Sequence, residues 1–78
     1  MSRAENARIV ERAVGELKDA VLPYSYAAPE QMSDSLRRDV AVTASLAGVL
    51  EKWLDEDMSL RWEEPILALA RAVNGDLS

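Results

Sequence analysis

No cysteine and no histidine occur among the 78 residues of this chain, and that absence limits its possible folds more than any motif does. A core built from fewer than about 80 residues contributes only a few kcal/mol, so small domains usually add disulfides, a structural metal or a partner subunit. Disulfides require cysteine, and structural zinc sites are made from Cys and His. Close packing, reinforced by self-association, is what remains. A chain this short makes one domain, residues 1–78.

The packing elements are helices. Hydrophobic residues make up 49% of the chain and charged residues 29%. Ala, Leu and Val are interleaved with Glu, Asp and Arg, a mixture that favours helix over strand. The longest stretch without a charge, residues 40–50, is much shorter than the ~20 residues that span a bilayer. The opening residues carry charges throughout and lack an apolar signal core, so no membrane segment and a cytoplasmic location are expected.

Periodicity places three helices. In residues 4–22, Val10, Val14, Leu17 and Val21 follow steps of four, three and four, which keeps them on one face. Ile9, Ala13 and Ala20 widen that face, Ala7 extends it, and Gly15 falls on the polar arc. Pro23 ends the helix, because the residue before a proline avoids the α region. The connection holds Tyr24 and Tyr26, whose rings are expected to cover the end of the core. A second helix is expected over 29–54, with Ser33-Asp34-Ser35 as a competing start. Its first seam is Leu36, Val40, Thr43, Ala47, Leu50 and Leu54; Val42, Leu46, Val49 and Trp53 form another, rotated by about 110°. Two seams are more than one neighbour buries, so this helix is expected to be the central one. The third helix, 62–74, turns Trp62, Ile66, Leu69 and Val73 inward and stops at Asn74-Gly75. The expected fold is an all-α, self-associating three-helix bundle.

The same residues leave little room for other functions. Asp55, Asp57 and Ser59 match the first ligand positions of a calcium loop, but Leu60 and Ile66 occupy the positions where glycine and glutamate are required. No metal or other cofactor is expected. There is no His for acid–base work and no Cys nucleophile, the serines have no basic partner at a telling spacing, and no enzyme activity is expected. With no histidine, no side chain has an ordinary pKa between 5 and 8 to act as a switch. Arg37-Arg38 is the only clustered basic pair in a chain of net charge −5, which argues against direct nucleic-acid binding.

Excess apolar surface points to association. Val42, Leu46, Val49, Trp53 and Leu67 are the candidate interface, with Trp53 preferred over Trp62 as its exposed indole. The leading expectation is a non-enzymatic protein-interaction or regulatory module acting as a homodimer. The alternative is a small acidic, phage-type inhibitor or mimic that blocks a basic nucleic-acid-binding site on a partner protein. Its candidate surface is Glu51, Asp55, Glu56, Asp57, Glu63 and Glu64.

Overall fold

A computed structural model describes residues 3–75, excluding the side chains of Pro29 and Asp57. Three helices account for most of it: α1 (Arg3–Val21), α2 (Asp34–Lys52) and α3 (Leu60–Asn74). Short 3-10 turns cover Leu22–Tyr24 and Pro29–Gln31, and one π-helical turn, Trp53–Asp57, follows α2. There is no strand among the described residues. The protein is a small all-α three-helix bundle.

Local chemistry sets the boundaries. Proline at the first turn of Leu22–Tyr24 converts the end of α1 into a 3-10 turn. Of the two possible starts for α2, the serine cluster prevails: Ser33 is extended, and its Oγ accepts from the Leu36 N–H at 3.1 Å. Pro29 opens only its own short turn. Ser59 likewise caps α3, accepting from the Arg61 N–H at 3.2 Å, so the helix begins two residues before the expected 62. Between α2 and α3, Met58 adopts a left-handed conformation, φ 38°, uncommon for a residue with a Cβ. Its N–H donates to the Trp53 carbonyl at 2.6 Å, and the Arg3 guanidinium donates to its carbonyl.

The core corrects one expectation. The central helix is α1, not α2: α1 packs along both other helices, whereas α2 and α3 scarcely touch. Val10, Ala13, Val14 and Leu17 of α1 are buried, against Ala47 and Leu50 of α2, Trp53, and Ile66 and Ala70 of α3. The contacts reveal why. Ala7, Glu11 and Val14 face Met58, Asp55 and Glu51, and Lys18 pairs with Glu51, so α1 and α2 run antiparallel. In that register the last residue of α1, Val21, is level with about residue 44. The first ten residues of α2 therefore overhang α1 by about 15 Å at 1.5 Å per residue. Leu36, Val40 and Thr43 of the first seam are accordingly only half-buried.

α3 crosses α1 steeply. Asn6 Nδ2 donates to Glu63 Oε1 at 3.2 Å, and Asn74 Nδ2 donates to the Ile9 carbonyl at 3.1 Å. Three residues of α1 thus span eleven of α3, about 4.5 Å against about 16 Å of helix. Asn6, buried on the apolar stripe of α1, joins the two helices at one end of this contact as Asn74 does at the other. The resulting shape is long and flat, 44 × 29 × 17 Å.

Candidate interaction surface

The outer face of α2 is unusual for a surface helix. No charged residue lies between Asp39 and Glu51, yet Ala41, Val42, Ala44, Ser45, Gly48 and Val49 in that interval are exposed. A helix with one buried face ordinarily carries charged or polar groups on the opposite one, and a helix apolar all round is normally covered all round. Val42 is 62% exposed and Val49 53%, and their spacing of seven places them on the same face.

That face continues into a slot of about 320 Å³ between α2 and the start of α3. Val49, Lys52, Trp53, Trp62 and Ile66 line it. The slot exists because both helices rest on α1 and diverge from each other. Trp53 forms its floor, with the indole N–H donating to the Ser59 carbonyl at 3.3 Å. Trp62 forms a wall, with the Arg61 guanidinium 5.5 Å from its ring centroid, within cation–π range.

The expected roles of the two tryptophans are reversed. Trp53 is 3% exposed and belongs to the core, whereas Trp62 is 51% exposed. Trp53 follows α2 where all three helical segments converge, while α3 packs mainly on α1 and turns Ile66 and Ala70 into the same core. Trp62 and Leu69 of α3, expected inside, are both exposed, Trp62 on the gap that α2 does not fill. The expected cover of tyrosine rings is absent too: Tyr26 is 88% exposed, and Tyr24 is exposed as well.

Of the five candidate interface residues, Val42, Leu46, Val49 and Trp53 share one side of α2, with Leu46 half-buried against the core. Leu67 does not join them. It lies in a separate hollow with Leu60, Glu63, Glu64, Ala68 and Arg71. Trp62 takes its place in the slot.

The acidic candidates are divided. Glu51 and Asp55 line a hollow with Glu11 against α1, and Glu51 pairs with Lys18. Glu63 turns toward Asn6 and toward Arg3, whose Nη1 is 4.0 Å away, while Glu64 lines the α3 hollow. Glu56 is exposed, and the Asp57 side chain lies outside the described residues. Two of the six therefore already face cations of the same chain.

Among the described residues, no group of three or more acidic side chains is placed to hold a metal ion, and no helix is long and apolar enough to cross a membrane. Comparison with family models, curated proteins and solved structures gives no match.

Proposed function

We propose that this chain is a non-enzymatic protein-interaction or regulatory module that works through the apolar face shared by α2 and the start of α3. One observation carries the reading: α2 has three turns without a charge, although half of their residues face solvent. Left bare, such a surface is unfavourable in water, at roughly 25 cal/mol per Å² of apolar area. A bound protein removes that cost, and the Val49–Trp62 slot offers a pocket for an anchoring side chain, the feature around which interface energy concentrates. The acidic-mimic alternative draws less support, since Glu51 and Glu63 are engaged within the chain.

Photo-crosslinking in the cell that makes the protein tests this reading. A benzophenone side chain at position 49 is expected to yield covalent protein adducts, and the same group at exposed Asp19 of α1 is not. Adducts that are absent at position 49, or equal at both positions, would contradict it.

A further inference from the structure

We infer that the occupant of this face is a second copy of the chain, related by a two-fold axis, with the two α2 helices antiparallel; the inference rests on the interaction-module reading above. Three observations converge on it. The first is area. The chain exposes 5487 Å² at a mass of 8.6 kDa, about 800 Å² more than the roughly 4700 Å² of a compact monomer of that mass. Each partner in a standard-sized interface buries about 800 Å². The radius of gyration agrees, at 13.8 Å against about 11.5 Å for a compact domain of this length.

The second is self-complementarity, which a two-fold contact requires because the same patch serves both sides. The face carries a projection, Val42, on the overhang of α2, and a slot beside Val49. The two are seven residues apart, about 10.5 Å along the helix. Antiparallel packing about a point between Ser45 and Leu46 brings each Val42 onto the partner's Val49 and slot, twice over. The third is the helix surface at the crossing. Ser45, beside the axis, is exposed and small, so no bulky side chain of the chain stands between the two helices there. The overhang that α1 leaves uncovered is thereby placed against the partner.

The test is the mass of the purified full chain by light scattering, from low to high micromolar concentration. The mass is expected to rise with concentration from that of the single chain toward twice it, and Val49→Glu is expected to weaken association at least about tenfold, the factor equivalent to 1.4 kcal/mol, with helix content by circular dichroism unchanged. A second variant guards against misfolding by Val49→Glu. Val42→Cys with Val49→Cys, in a chain that otherwise has no cysteine, should oxidise to a covalent dimer. Two positions about 10.5 Å apart on one helix are too distant to join within a chain. A single-chain mass at every concentration would overturn the second copy, as would a trimer or larger assembly. A dimer that neither weakens with Val49→Glu nor crosslinks through positions 42 and 49 would overturn the α2 contact. If the mass stays single while position 49 still gives photo-adducts with another protein, the second copy falls and the interaction module stands. If both assays are negative, both fall.

Discussion

Replacing glycine by alanine at two positions should change stability in opposite directions, although the added methyl group touches nothing at either. Gly15 is exposed in the interior of α1, and Gly75 closes α3 with φ at 76°. At Gly15 only backbone freedom changes. Alanine is about 1 kcal/mol more favourable than glycine inside a helix, largely because the unfolded chain has fewer conformations to lose. At Gly75 the left-handed conformation costs a residue with a Cβ about 1 kcal/mol. The unfolding entropy of 78 residues is about 160 cal/mol/K, so 1 kcal/mol corresponds to a change of about 6 °C in Tm. Gly15→Ala should therefore raise Tm by about that amount and Gly75→Ala should lower it similarly. Thermal unfolding followed by circular dichroism, at one fixed protein concentration because association raises Tm, reads both. A fall in Tm for Gly15→Ala would mean that the outer side of α1 is occupied. An unchanged Tm for Gly75→Ala would mean that α3 does not end in a left-handed residue.

Two further substitutions probe the core and the α2–α3 junction. Leu50 is fully buried where α2 meets α1, so Leu50→Ala should cost about 3 kcal/mol by urea unfolding, whereas a loss under about 1 kcal/mol would deny it a core position. Ser59→Ala removes the cap of α3 and should cost about 1 kcal/mol in the same assay. It should leave the Trp53 indole N–H protected from exchange, because that group bonds to the Ser59 carbonyl rather than to its side chain.

Local signals carried the helices. Steps of three and four identify the inner stripe of α1, Asn74-Gly75 marks the end of α3, and the competing Ser33-Asp34-Ser35 start, five residues after the expected 29, is the one α2 uses. What periodicity did not reveal was which helix lies at the centre. Two seams on α2 look the same whether both face neighbours in the chain or one faces a partner, so apolar width alone does not identify the central helix. Trp62 was misplaced for a related reason: its spacing of four from Ile66 puts it near the buried side, but the steep crossing of α3 leaves that edge uncovered. Asn6, a polar residue on an apolar stripe, gives no sign in the sequence that it bridges to Glu63. The informative signal was the uncharged stretch 40–50. It excludes a membrane span by its length, and its outer arc, with Ser45 as the polar residue, carries no charge.

The most direct measurement is fluorine NMR of the chain labelled with fluorotryptophan, which places one probe in the core at Trp53 and one on the slot wall at Trp62. Trp62→Phe assigns the two lines. The line of Trp62, half-exposed in the single chain, should show a solvent isotope shift at low micromolar concentration and lose it as concentration rises and a second copy closes the slot. An isotope shift at Trp62 that stays the same up to millimolar concentration would contradict the central claim, because the slot would then remain open to water.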